Sequence, residues 1–273
     1  MRADEVDYVS GRTRLYGIVG DPIVQVRSPE MITAELRSRD RDAILVPLHV
    51  APEAFDATIA GLMALRNLDG LVFTIPYKAR ALPLAQEIGE QAKAVGAINA
   101  LGRGADGLWR GEIFDGLGCI EAFRRRGLAL RGKRIQLIGA GGAGAAIAVA
   151  LAHEGPRAVR LTELDAKRGA TVAAKMRAID ASIDVTLAPA STDGVDVLMN
   201  ASPVGMLDDA RLPLDVARLP RELVVFDAIV KPETTPLVAL AESCGCTVVR
   251  GREMMRGQIA RMVDFFLSGT LAA

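Results

Sequence analysis

Histidine and cysteine are scarce in this chain, with two of the former and three of the latter among 273 residues. Cys244 and Cys246 flank Gly245 while Cys119 stands alone, so no second pair completes a structural zinc site. Spectator thiols and no bound metal are expected, in keeping with a reducing compartment. His49 ends an apolar strand segment, and His153 closes a helical one. Neither has a sequence partner that suggests a catalytic triad, and both are expected to be structural. Charge of one sign is also missing: 33 basic and 33 acidic residues balance, which points away from nucleic acid and anionic membranes as partners. There is no run of 18 apolar residues to span a bilayer. The start, Met1 to Glu5, lacks the apolar core of a signal peptide, and a cytoplasmic protein is expected. No internal repeat, low-complexity tract or long linker is visible.

What the chain does have is a glycine turn in a telling place. Arg134 to Ile138 is an apolar strand that runs directly into Gly139-Ala140-Gly141-Gly142-Ala143-Gly144, and a small-residue helix, Ala145 to Ala152, follows. Glycines permit a tight turn and close backbone approach, and the helix N-terminus offers free N–H groups to a pyrophosphate. Glu163 stands just beyond the next apolar segment, Ala158 to Leu161, where ribose hydroxyls are read. The alternative is a plain tight turn that packs a helix onto a sheet.

Half the residues are apolar, enough for one or two sizeable cores. The pattern divides near residue 115. Before it, strand candidates Leu15–Val19, Ile44–Val50 and Leu71–Thr74 alternate with helix-period segments Pro29–Arg39 and Pro52–Leu65, predicting a mostly parallel sheet. After it, a helix over Gly116–Arg126 leads into the glycine turn. Strands follow near Val159, Ile183, Val195–Met199, Leu223–Asp227 and Thr247–Arg250, with helices between. A final helix, Glu253–Leu267, is expected to return to the first unit. The predicted fold is α/β with two domains. An N-terminal α/β substrate domain (1–114, completed by 251–273) joins a Rossmann-type, doubly wound parallel sheet (115–250), and the cleft between them holds substrate against the nicotinamide.

Two segments can carry the chemistry. Thr74-Ile75-Pro76-Tyr77-Lys78 sets a lysine just past a strand, after a proline that cannot continue the ladder. Phe114-Asp115-Gly116 sets a carboxylate at a helix start, where it is favoured. A lysine beside a carboxylate in a closed cleft can move the proton that hydride transfer to or from a secondary alcohol requires. Spacing alone does not pair them; a surface lysine and an ordinary helix-start aspartate fit it as well.

Five motifs in order supply the pairing. Gly20-Asp21-Pro22-Ile23 with Ser28-Pro29, then Thr74 to Lys78, Gly96-Ala97-Ile98-Asn99, Asp115-Gly116 and the glycine turn resemble the shikimate/quinate dehydrogenase family; Asn200-Ala201-Ser202-Pro203-Val204-Gly205-Met206 and Gln258 extend the match. The resemblance runs from about residue 16 to the C-terminus. It implies Lys78 and Asp115 as the catalytic pair. Ser28, Thr74, Asn99 and Gln258 would bind substrate. Gly139, Gly141, Gly142, Ala143, Glu163, Asn200, Ser202, Pro203, Val204, Gly205 and Met206 would bind the cofactor.

Three substrate-facing positions depart from the family pattern. Val26 replaces a serine on the substrate-carboxylate loop, Val72 an asparagine ahead of the lysine, and Phe114 a threonine before the aspartate. Each exchanges a hydrogen-bonding group for an apolar one. A single bond contributes about 0.5–1.5 kcal/mol net, and an unpaired buried polar group costs ~1–3 kcal/mol. The expectation is the same reaction on a less polar alicyclic alcohol or ketone, with shikimate a poor substrate, unless Arg27, Gln25 or Thr74 compensates and leaves shikimate or quinate acceptable. NADP-using relatives carry an asparagine-arginine-threonine run after the second strand. Here Thr162-Glu163-Leu164-Asp165 stands instead, with no arginine until Arg168. Glu163 would accept from ribose hydroxyls and repel a 2′-phosphate, so NAD is favoured over NADP. Other readings are a nicotinamide-binding sensor without turnover, a methylene-tetrahydrofolate dehydrogenase, or a glutamyl-tRNA reductase, which would need a nucleophilic cysteine early in the chain. Monomer and homodimer are both open.

Overall fold

A computed structural model of the chain describes residues 9–271; the segment read above for a signal peptide, Met1 to Glu5, lies outside them. The first unit begins with β1 (Arg14–Gly20), α1 (Ser28–Arg37), β2 (Ala43–His49), α2 (Phe55–Met63) and β3 (Leu68–Phe73). Next come β4 (Glu87–Ile88), α3 (Glu90–Val95), β5 (Ala100–Arg103) and β6 (Trp109–Glu112). The strand order is β2-β1-β3-β5-β6-β4. β1, β2 and β3 run parallel as the alternating pattern predicts, but β5 is antiparallel to β3 and β6 antiparallel to β5. That antiparallel edge went unread because β5 and β6 are four residues each, with Gly102 and Gly111 interrupting any apolar run. The Asp106-Gly107 turn between them, with Gly107 at φ 83°, is the hairpin signal the sequence did carry.

The second unit opens with α4 (Asp115–Arg125). After it run β7 (Arg134–Ile138), α5 (Gly142–Glu154), β8 (Ala158–Thr162), α6 (Ala166–Ile179), β9 (Asp184–Leu187), β10 (Val197–Asn200), β11 (Val224–Asp227), α7 (Pro236–Ser243) and β12 (Thr247–Arg250). All pairs in its sheet are parallel, in the order β12-β11-β10-β7-β8-β9, which is the doubly wound arrangement. The order reverses between β7 and β10, so the crevice for a ligand lies at the carboxyl ends of those two strands. The last helix, α8 (Gly251–Ser268), packs on α1, α4 and β5 and so returns to the first sheet.

The two sheets share one core. A continuous apolar cluster runs from Leu71, Phe73 and Ile98 through Phe123 of α4 and Ile147 of α5 to Leu137 and Phe226. A second cluster gathers Val72, Phe114, Ile259, Met262 and Phe265 between the first sheet and α8. α5 is buried along nearly its whole length because Ala145 to Ala152 offers only small or aliphatic side chains.

Candidate active site

Lys78 and Asp115 meet. Lys78 Nζ donates to Asp115 Oδ2 at 2.5 Å, and the side chains are 13% and 7% exposed. The lysine reaches this point because the chain leaves β3 through Thr74-Ile75-Pro76 and turns, with the Tyr77 N–H returned to the Thr74 carbonyl. Asp115 is the first residue of α4, with Phe114 as its N-cap. A partly buried lysine–carboxylate pair has the chemistry to bind a hydroxyl and move its proton.

Asn99 and Gln258 join the pair. The Asn99 amide donates to Gln258 Oε1 at 3.1 Å and accepts the Phe114 N–H at 3.0 Å, so it ties α8 to the start of α4. The segment that carries Asn99 is braced in ways the sequence did not reveal. The Ile98 N–H donates to the Lys78 carbonyl, and the Asn99 N–H to the Glu112 carbonyl. The buried Glu112 carboxylate accepts from the Ala92 N–H near the start of α3, while Lys175 of α6 donates to the Val95 carbonyl at its end, 2.6 Å away. Both charges suit the helix dipole. Burial raises the Glu112 carboxyl and lowers the Lys175 ammonium. A charged residue ending a strand, as Glu112 does, was the available signal; Lys175 on a helix of small residues gave none.

The wall beside these groups is apolar. Val72 and Phe114 are 5% and 6% exposed, and Phe114 packs on Phe265 with ring centroids 5.7 Å apart. Val26 and Ile23, from the loop between β1 and α1, lie on the same cluster. Ser28 opens α1, and the Thr74 methyl sits over Gly20. Among the described residues neither makes a side-chain hydrogen bond to Lys78, Asp115, Asn99 or Gln258. Arg27 is paired with Glu30 (Nε to Oε1, 2.6 Å), and Gln25 Nε2 donates to the Pro22 carbonyl at 2.8 Å. The His49 ring lies 2.7 Å from Asp21 Oδ1 on the neighbouring strand end.

The glycine turn closes the other side. Gly139 has φ 94°, and a Cβ there would stand 2.8 Å from the Ser202 nitrogen, so the turn after β7 and the loop after β10 meet at the switch point. Gly141 is the N-cap of α5 and has open space where a Cβ would be, and no side chain caps the helix. This uncapped glycine cradle fits a pyrophosphate. A Cβ on Gly142 would stand 3.0 Å from Lys78 Cδ, which puts the turn against the Lys78–Asp115 pair. Ala143 follows in the first turn of α5.

Glu163 and Asn200 are more engaged with the protein than their spacing suggested. Glu163 accepts from the Ala140 N–H at 2.7 Å, the Asp165 N–H at 3.0 Å and Arg168 at 2.6 Å. Burial alone would raise its carboxyl, but these donors outweigh it and hold the group at about 2. Asn200, fully buried at the end of β10, accepts from the Ser202 N–H and hydroxyl and donates to the Val204 carbonyl and Asp227. It therefore shapes the Pro203-Val204-Gly205-Met206 loop, where Gly205 has φ 94°. Asp227 also accepts from Thr235 at 2.7 Å and the Ile229 N–H, and burial pushes it up to about 6 against those donors. An aspartate ending an apolar strand was its signal.

Comparison with known proteins bears on this constellation. A family model described as the shikimate dehydrogenase substrate binding domain matches residues 18–101. The NADP(+) shikimate dehydrogenase of Anaeromyxobacter sp. (strain K) is 37% identical over 252 residues, covering 90% of this chain and 88% of that protein. The chain belongs to the shikimate/quinate dehydrogenase family. Membership makes it a nicotinamide-dependent oxidoreductase acting on a CH–OH group. Among solved structures, the shikimate 5-dehydrogenase of Listeria monocytogenes, in complex with shikimate and NAD, is 25% identical. It has a TM-score of 0.83 and covers 96% of this chain and 94% of that one. A 5-ketofructose reductase of Gluconobacter sp. strain CHM43 is 28% identical, with a TM-score of 0.79 and 96% of both chains covered. So a shikimate dehydrogenase fold also carries the name of a reductase for a different substrate.

Proposed function

We propose that this protein catalyses reversible hydride transfer between NAD and a secondary alcohol or ketone on an alicyclic ring less polar than shikimate. The observation that carries the reading is the Lys78–Asp115 pair set against the glycine turn and beside an apolar wall of Val26, Val72 and Phe114. Lys78 acts on the reacting oxygen, as general base in oxidation and general acid in reduction, and Asp115 orients the same hydroxyl. Asn99 and Gln258 hold a neighbouring hydroxyl. The bound nicotinamide would supply or accept the hydride. The glycine turn from Gly139 to Ala143 would hold its pyrophosphate, and the loop from Asn200 to Met206 would flank its ring. Residues 1–114 with 251–273 form the substrate side of this reading and 115–250 the cofactor side.

The residues considered as compensating for shikimate recognition do not offer it readily. Arg27 is paired with Glu30, Gln25 is left with an acceptor, and Thr74 turns its methyl to Gly20. NAD is preferred because Leu164, fully exposed, follows Glu163, and Arg168 is already neutralised by that carboxylate.

The test is an initial-rate assay with shikimate, quinate and cyclohexenols lacking the carboxylate, each offered with NAD and with NADP. Turnover of the less polar rings, faster with NAD, is expected, and Lys78→Ala should lower kcat by about 10²–10⁴-fold. Efficient NADP-dependent oxidation of shikimate would overturn the reading.

A further inference from the structure

Lys175 lies on α6 of the second unit, yet its ammonium ends on the first. It donates to the carbonyl of Val95, the last residue of α3, at 2.6 Å, and a Cβ on Gly96 would stand 3.2 Å from the same Nζ. Among the described residues this is the one side-chain hydrogen bond that joins 127–250 to 9–114. No carboxylate compensates the ammonium, and burial lowers its pKa. Its compensation is the C-terminus of a helix, where the carbonyls carry partial negative charge. α3 has only six residues, too few to hold together alone, and Gly96 ends it at φ 76°. From Gly96 the chain runs through Ala97 and Ile98 to Asn99. The Ile98 N–H donates to the Lys78 carbonyl, and Asn99 bonds Gln258 and the Phe114 N–H. One cation of the second unit therefore braces the segment that leads to Asn99 and supports the backbone of Lys78.

We infer that Lys175 is a positioning residue: from the cofactor side it fixes segment 95–99, and through it Asn99 and Lys78, against the reacting ring. The inference rests on the dehydrogenase reading above and assigns Lys175 no contact with ring or cofactor. Pairing in the second sheet does not use its side chain, and neither does the glycine turn. Loss of the ammonium should therefore disturb the ring and leave cofactor binding alone.

The test uses the full-length protein with the ring and cofactor turned over fastest in the assay above. Lys175→Met should lower kcat/KM for the ring by about 10- to 10²-fold, while the Kd of the cofactor changes less than about twofold. Hydrogen exchange at the Ile98 and Asn99 amides should be faster than in the wild type, and melts confirm that the variant folds. Lys175→Arg, which keeps a cationic donor, should recover part of both effects. If Lys175→Met does not fold, Lys175→Gln, too short to reach the carbonyl, takes its place under the same expectations. An unchanged kcat/KM, an equal loss of cofactor affinity, or equal losses in the Met and Arg variants overturns the inference and leaves the dehydrogenase reading standing. If the wild type turns over no ring, the dehydrogenase reading fails, and exchange decides the brace separately. Faster exchange at Ile98 and Asn99 in Lys175→Met then upholds it, and unchanged exchange overturns it as well.

Discussion

Leu164 stands fully exposed directly after Glu163, at the end of β8 where the resemblance puts the adenosine ribose. An exposed leucine contributes nothing to the core, so a charge can be placed there without disturbing the fold. Leu164→Arg should raise kcat/KM for NADP about tenfold or more by offering the 2′-phosphate a charge-assisted partner, with NAD little affected. Paired initial rates with the two cofactors measure the ratio; an unchanged ratio would show that position 164 does not reach the 2′-phosphate. The Glu163 carboxylate also holds the Ala140 N–H inside the glycine turn, so under the proposed reading it would serve both cofactor and turn. Its position could be read from spacing, but its bond to the turn could not.

At the scale of elements, α4 is the helix on which the site turns, because it starts at Asp115 and packs on both α5 and α8. Close approach needs residues without a Cβ. One added to Gly116 would lie 2.2 Å from the Ala146 carbonyl oxygen, and one on Gly118 would lie 2.6 Å from that of Met254. Gly118→Ala should therefore push α8 from α4 and cost about 1–3 kcal/mol in urea unfolding. Activity should fall with it, since α4 carries Asp115 and α8 carries Gln258. Gly61→Ala in α2, with nothing within 4 Å, is the control and should be neutral or mildly stabilising. Strands with apolar runs and the helices between them were legible from period alone. The hairpin of β5 and β6 was not, since its short strands are stabilised by neighbours rather than by their own pattern.

Over the whole molecule, buried acids give the stability a defined pH dependence. Asp227 titrates near 6 in the folded protein, above the ~3.9 of an unfolded chain. Between about pH 4 and 6 the unfolded state releases a proton that the folded state keeps, so this group lowers stability as pH rises, and its effect levels off above 6. Glu163, and Asp196 ahead of β10 through its bond to Arg134, are both held at about 2; they work in the opposite direction, and their contribution is lost as pH falls below about 4. Melting temperatures of the wild type and Asp227→Asn should diverge in favour of the variant as pH rises from 4 to 6, then run parallel. A constant difference across that range would show that Asp227 is not the group responsible.

The sequence by itself determined the α/β class, the glycine turn, and the identities of Lys78, Asp115, Asn99 and Gln258 as the groups to watch. Hydrophobic period and turn chemistry are local, and the ordered motifs are written in the chain. The resemblance paired Lys78 with Asp115, and the fold brings them together across 37 residues; tertiary structure alone decided that Asn99 meets Gln258 across 159 and that Glu163 and Asn200 spend their hydrogen bonds within the protein. Pairing between distant residues depends on where whole elements pack, and whether a polar atom is satisfied depends on every neighbour that packing brings to it.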